Sequence, residues 1–120
     1  MASPKTDWLT AAESYLAECR GRASSVRASE FALRMQRTPV QLAKEFRATV
    51  GRGVKEHLES LQIERAKELL RTTRSSTAEI ALDAGFGTTR SFYRAFRRRT
   101  GVSPTEYRKE MSLAEVSFRH

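Results

Sequence analysis

The sequence predicts an all-α fold in which two helix-turn-helix bodies are joined by one long helix. Three observations predict it. Apolar residues recur at helical spacing, and no segment alternates with a period of two. Glycines and prolines sit at the ends of the periodic stretches, where helices stop or start. The second half of the chain also repeats the element order of the first at a shift of about 50 residues.

Length and composition set the frame. With 120 residues and 13.6 kDa there is room for one ordinary domain or two very small ones. A hydrophobic share of 39% with 6 Gly and 3 Pro is that of a globular chain. The apolar stretches are too short to cross a bilayer, and Met1 to Asp7 shows no secretory pattern. Cys19 is the single cysteine, which excludes an internal disulfide and a cysteine-based zinc cluster. The cytoplasm is the expected compartment. Lys plus Arg total 22 against 14 Asp plus Glu, a net charge of +8, and this excess points to a polyanionic partner.

The elements follow in order. Trp8, Ala12, Tyr15, Leu16 and Cys19 form the stripe of an amphipathic helix ending near Gly21. A second periodic segment runs from about Val26 to Met35, with Phe31, Ala32 and Met35 inward. The third opens at Thr38-Pro39, a cap followed by proline in the first turn, and buries Leu42, Phe46 and Val50. Gly51 and Gly53 interrupt the pattern, and Val54 to about Thr72 then reads as one helix of roughly 30 Å. At 100° per residue, Val54, Leu58, Leu61 and Leu69 fall on one side and Ile63, Ala66 and Leu70 on the other. A helix with two apolar faces can hold two small bodies apart. Thr77 is expected to cap a short helix with Ile80, Ala81 and Ala84, ended by Gly85. The next helix opens at Thr88 or Thr89, carries Phe92 and Phe96, and stops at Gly101. A last short helix is expected from Ser103-Pro104 to about Met111 with Tyr107 inward; Ser112 to His120 carries no strong signal. The resulting division is residues 1–52, a linking helix over 53–73, a second unit over 74–111 and a tail over 112–120.

The repeat superimposes Leu42 on Phe92, Phe46 on Phe96, Arg47 on Arg97, Gly51 on Gly101 and Glu56 on Glu106. Upstream of each turn the shift falls to 49, pairing Glu30-Phe31-Ala32 with Glu79-Ile80-Ala81, so the second turn is one residue longer. Each copy is a short helix, a tight turn and a longer helix, the helix-turn-helix layout.

Arg90, Arg94, Arg97 and Arg98 lie at i, i+4, i+7 and i+8, one stripe opposite Phe92 and Phe96. No acid occurs between Asp83 and Glu106, whereas solvated faces usually mix signs, as Glu64, Arg65, Lys67 and Glu68 do. An unneutralised stripe on the second helix of such a unit suits DNA phosphates and guanine edges. Glu56 and Glu59 are expected to be solvated. His57 is expected to be partly buried or on the surface and His120 is terminal, so neither suggests a metal site. Gly85-Phe86-Gly87 lacks the spacing of a phosphate-binding loop. Trp8 and Tyr15 are expected in the core, as is Cys19. No catalytic constellation is found, and no cofactor or metal is expected.

The stretch from Ala78 to Gly87, then Phe92, Arg94, Phe96, Gly101, Ser103-Pro104 and Tyr107-Arg108, resembles the signature of the AraC/XylS family of bacterial transcription regulators. The match extends back through Leu70, Leu69, Ala66 and Ile63, and more weakly through Gly51, Phe46, Leu42 and Ala32. The resemblance implies seven helices in two homeodomain-like helix-turn-helix units joined by a long helix, in agreement with the reading above. The family usually has an arginine just before Ile63; Gln62 stands there and is expected to remove a brace between the units. Many members have an aromatic residue where this chain has Ser91.

Carried over by position, the family's base-contacting surface falls on Val40, Gln41, Ala43 and Lys44 in the first unit and on Thr89, Arg90, Ser91, Tyr93 and Arg94 in the second. These residues lie early in each second helix, away from its apolar face. Arginine can bond guanine bidentately and glutamine adenine, while valine or a threonine methyl packs on thymine. Arg94 is the leading candidate. Arg47, Arg97 and Arg98, with the helix N-termini at Thr38 and Thr88, are expected at phosphates. The expected partner is double-stranded promoter DNA, with RNA polymerase as a second candidate and no membrane. Most family members carry a separate sensing or dimerisation domain, for which this length leaves no room, so the chain is expected either to work alone or to be part of a longer regulator. Because Val40, Gln41, Ala43 and Lys44 differ from Thr89, Arg90, Ser91, Tyr93 and Arg94, a monomer is expected to read an asymmetric site unless a further domain dimerises it. The alternative is an electrostatic module that binds nucleic acid or an acidic partner without reading sequence.

Overall fold

The computed structural model describes residues 7–118. Among them all regular structure is helical: α1 Trp8–Arg22, α2 Ala28–Arg34, α3 Pro39–Val50, α4 Val54–Thr72, α5 Thr77–Asp83, α6 Thr89–Thr100 and α7 Pro104–Phe118. The expected order of elements is met, with small shifts at the ends of all but α7, which runs well past the expected Met111.

Two cores sit on either side of α4. The first gathers Trp8, Ala12, Tyr15, Leu16 and Cys19 of α1, Phe31 and Ala32 of α2, Leu42 and Phe46 of α3, and Val54 and Leu58 of α4. The second gathers Ile63, Ala66 and Leu70 of α4, Ile80 and Ala81 of α5, Ala84 and Phe86, and Phe92, Ala95 and Phe96 of α6. Burying one such large side chain is worth about 1.5–3 kcal/mol, so each body has its own apolar driving force. Aromatic rings cross at the centre of each, Trp8 against Phe46 with centroids 6.1 Å apart and Phe92 against Phe96 at 5.7 Å.

Leu69 departs from the angular expectation. It packs, half-buried, in the second core rather than with Val54, Leu58 and Leu61. Its place near the C-terminal end of α4 puts it beside the second body, and position along the axis outweighs its angle. His57 is buried against Phe46, with ring centroids 5.4 Å apart, and its Nδ1 has no hydrogen-bond partner among the described residues. Burial, helped by the nearby Arg52, holds its pKa below the usual histidine value against the opposing pull of Glu13.

The caps explain where helices begin. Thr38 and Gln41 form a reciprocal capping box at α3, with Gln41 N donating to Thr38 Oγ1 at 3.2 Å and Thr38 N to Gln41 Oε1 at 3.0 Å. Thr88 Oγ1 accepts from Ser91 N at 3.0 Å at α6. The cap of α5 is Ser76, whose Oγ accepts from Glu79 N at 3.1 Å, and not Thr77, which is the first helical residue. Either hydroxyl can cap a helix; the one three residues before Glu79 meets its amide. Helix α7 continues past Met111 to Phe118. Residues 112–118 contain neither glycine nor proline, so nothing local stops the helix. Arg108 ties it to the end of α4, donating to Leu70 O at 3.2 Å and Thr73 O at 3.1 Å.

Candidate nucleic-acid interface

The first helix of each helix-turn-helix pair, α2 in the first unit and α5 in the second, is followed by a left-handed turn. In the second unit Gly85, φ 84°, sends its amide to Leu82 O, and Phe86 N reaches Ala81 O. In the first, Gln36, φ 56°, sends its amide to Leu33 O, and Arg37 N reaches Ala32 O. The pairing matches the 49-residue shift of the repeat bond for bond. Gly87 is the extra residue before the second cap.

Beyond these turns α3 and α6 present their outer faces. Val40 is 70% exposed, and Gln41, Ala43, Lys44 and Arg47 are exposed as well. On α6, Thr89, Arg90, Ser91, Arg94, Arg97 and Arg98 are exposed, as are the caps Thr38 and Thr88. Tyr93 is the exception among the expected site residues. It is half-buried, leans edge-on against Phe92 at 6.1 Å, and its hydroxyl lies 3.3 Å from Thr105 Oγ1. Hydrogen bonds from Thr105 and Thr77 hold its phenol below the usual value.

Two expected base readers are partly engaged by caps. The Gln41 carbonyl oxygen accepts from Thr38 N, so bidentate bonding to adenine would require it to leave the capping box. Ser91 Oγ accepts from Thr88 Oγ1 at 2.8 Å.

The arginine stripe is not wholly unneutralised. Glu59, on α4, is not solvated as expected: Arg98 donates to its Oε1, and so does Arg99 Nε at 2.8 Å. Arg99 also donates to Glu56 O at 2.9 Å. Burial raises the Glu59 carboxyl, but the bonds from Arg99 and Arg98 outweigh that and leave it below the usual value. Arg90, Arg94 and Arg97 have no ion pair among the described residues. On α3 the one acid, Glu45, accepts from Arg37 Nε at 2.8 Å, which leaves Lys44 and Arg47 as the outward cations.

Gln62 supplies a brace rather than removing one. It is buried, and its Nε2 donates to Gly85 O at 3.0 Å; Val26 N donates to the same oxygen at 2.8 Å. One carbonyl of the second unit's turn thus joins α4 and the α1–α2 loop, fixing the two bodies relative to each other. A Cβ on Gly85 would meet Val26 Cγ2 at 2.5 Å, so the approach depends on glycine. The resemblance marked position 62 as a brace but not its partner, and Glu59 gave no signal, because the partners lie 23, 39 and 40 residues away in sequence.

Residues 31–110 match a family described as "Helix-turn-helix domain". An HTH-type transcriptional regulator of Mycobacterium tuberculosis is 36% identical over 91 residues, 75% of this chain and 35% of that protein. The arabinose operon regulatory protein of Escherichia coli is 38% identical over 71 residues, 59% of this chain and 24% of that one. The chain therefore spans between about a quarter and a third of these curated relatives. Among solved structures, the C-terminal domain of AraT, a response regulator from Geobacillus stearothermophilus, aligns with a TM-score of 0.76 at 28% identity, covering 90% of this chain and 88% of that one. The DNA-binding domain of AdpA, solved with a target DNA, aligns with a TM-score of 0.71 over 82% of this chain and 90% of that one. At 24% identity that likeness concerns the fold.

Proposed function

The chain belongs to the AraC-type helix-turn-helix family, and from that premise we propose that it binds double-stranded promoter DNA as a transcription regulator, laying α3 and α6 in successive major grooves. The observation that carries this reading is the pair of equivalent helices, each capped, each exposing its outer face and each backed by its own core. Grooves on one side of the duplex recur about every 34 Å, comparable with the roughly 30 Å length of α4.

Arg90 and Arg94 are the proposed guanine readers, being exposed and outside any ion pair among the described residues. Val40, Ala43 and Lys44 are their counterparts on α3, with Gln41 and Ser91 joining if their caps rearrange. Thr89 stands at the start of α6, while Tyr93 contributes at most its ring edge beside Thr105. Thr38, Arg47, Thr88 and Arg97 are assigned to phosphates. The two faces differ, so one chain reads an asymmetric site. RNA polymerase is a further proposed partner, and the role is one of binding without catalysis.

The test is selection from a random duplex pool at physiological salt, followed by competition with nonspecific DNA. Enrichment of a two-part motif with centres about one helical turn apart is the expected result. No enriched motif, with affinity collapsing as salt rises, would leave only electrostatic attachment.

A further inference from the structure

Glu59 is the only carboxylate that reaches the α6 stripe among the described residues, and it does so from another helix. Its two arginines are held unequally. The Arg98 side chain is 62% exposed and bonds nothing else among the described residues, whereas Arg99 is 23% exposed and has a second bond to Glu56 O. An exposed ion pair is weak and readily exchanged. A bond shared with a backbone carbonyl on the same helix is less so. If Arg98 leaves, Glu59 keeps Arg99 and is not stranded as an unpaired, half-buried charge.

Glu59 also lines the cleft between the two units, together with Val26, Gln62, Arg94 and Arg98. A phosphate entering beside α6 would therefore meet Arg98 already occupied by a carboxylate. In a loose, counterion-rich encounter the phosphate offers Arg98 no advantage over a carboxylate in contact. Once α6 is seated in its groove, a phosphate held at hydrogen-bonding distance can take the guanidinium.

We propose that Glu59 is a positioning residue that holds Arg98 in the free protein and in loose complexes, and releases it to a phosphate only when α6 docks tightly. Glu59 thereby lowers affinity for unrelated DNA more than affinity for the chosen site. This inference rests on the reading of α6 as a DNA-contacting helix.

The experiment compares the unaltered protein, Glu59→Gln, Arg98→Ala and the double variant, each titrated by fluorescence anisotropy against the selected duplex and a random duplex across a salt series. Each phosphate neutralised adds about 0.9 to the slope of log affinity against log salt. In the Glu59 background, Arg98→Ala should reduce the slope by about that amount on the selected duplex and leave the random duplex unchanged. Glu59→Gln should steepen the random-duplex slope by about 0.9 and raise that affinity about two- to fivefold, the worth of an exposed ion pair. In the Glu59→Gln background, Arg98→Ala should then lower the slope on both duplexes. A merely structural role for Glu59 would change the melting temperature without moving the slopes. Equal slope loss on both duplexes for Arg98→Ala with Glu59 present would overturn the proposal, as would no loss on either duplex in any background. Arg98 is a surface side chain, so its variant folds even if Glu59→Gln loosens α4 against α6. If selection yields no motif, the two-groove reading fails, while the random-duplex slope of Glu59→Gln still decides whether Arg98 is withheld.

Discussion

Helices α3 and α6 are each 12 residues long, begin on a threonine cap and end on a glycine with φ 85° or 84°, yet they present unlike surfaces. Helix α3 carries Lys44 and Arg47 outward, with Glu45 neutralised by Arg37. Helix α6 carries five arginines, two of them drawn to Glu59. What the copies share is what folds them: the cap, the left-handed glycine and two buried positions, Leu42 and Phe46 against Phe92 and Phe96. What differs lies on the outer face, where no packing constrains it. The first unit offers an apolar Val40 beside a single lysine, suited to a modest, methyl-reading contact. The second concentrates charge, suited to phosphate affinity and guanine readout.

The largest expected effect tests whether the two units are separate bodies. Phe46→Ala and Phe96→Ala should each cost about 3–5 kcal/mol, since both rings are fully buried. Amide exchange should speed up selectively, in α1 to α3 for the first variant and in α5 and α6 for the second. Acceleration spread evenly over both units in either variant would show that α4 fuses them into one cooperative core.

Next comes the junction. Gly85→Ala must adopt a left-handed backbone and drive its Cβ toward Val26 Cγ2, found at 2.5 Å. Strain and overpacking together should cost about 2–4 kcal/mol. Gly101→Ala has the same φ but nothing within 4 Å, so it should lose only the backbone part. Equal melting temperatures for the two variants would mean that the Val26–Gly85 approach does not constrain the molecule.

Binding separates the two outer faces. Arg94→Ala should weaken the selected duplex by about 1–3 kcal/mol and relax preference at one base pair. Lys44→Ala should cost less, because lysine makes a single point contact where arginine can make two parallel bonds. Repeating the selection with each variant should blur opposite halves of the motif. Equal loss on selected and random duplex for Arg94→Ala would remove it from the reading set.

Much of this arrangement was legible in local pattern. Apolar spacing placed all seven helices, and a threonine at each of Thr38 and Thr88 marked the caps of α3 and α6. Where two hydroxyls adjoin, as at Ser76-Thr77, the pattern could not choose, since geometry against Glu79 N decides. Angular position alone misplaced Leu69, whose neighbours are set by distance along α4. Position 62 was marked as a brace by the family resemblance, but the partners that join the units were not legible. Gln62 on Gly85 O and Glu59 on Arg98 and Arg99 link residues far apart in sequence, and nothing local distinguishes them from a solvated glutamine or glutamate. The outer faces show the same limit: spacing exposed Gln41 and Ser91, while only the cap geometry shows their side chains engaged.

The smallest expected effect lies at the equivalent turns. Gln36 occupies in the first unit the left-handed position that Gly85 fills in the second, at φ 56° with the same backbone hydrogen bonds on either side. A side chain in that region costs about 1–2 kcal/mol, and Gln36 is exposed, so no buried contact of its own offsets the strain. Gln36→Gly relieves it while adding unfolded-state freedom worth about 0.5–1 kcal/mol. The net should be a gain of no more than about 1 kcal/mol, read as a rise of a few degrees in melting temperature. The same position therefore responds with opposite sign in the two units, because in the second the glycine makes room for Val26 and in the first the side chain is exposed. A lower melting temperature for Gln36→Gly would mean that the glutamine stabilises its turn, and that the two turns are alike in backbone only.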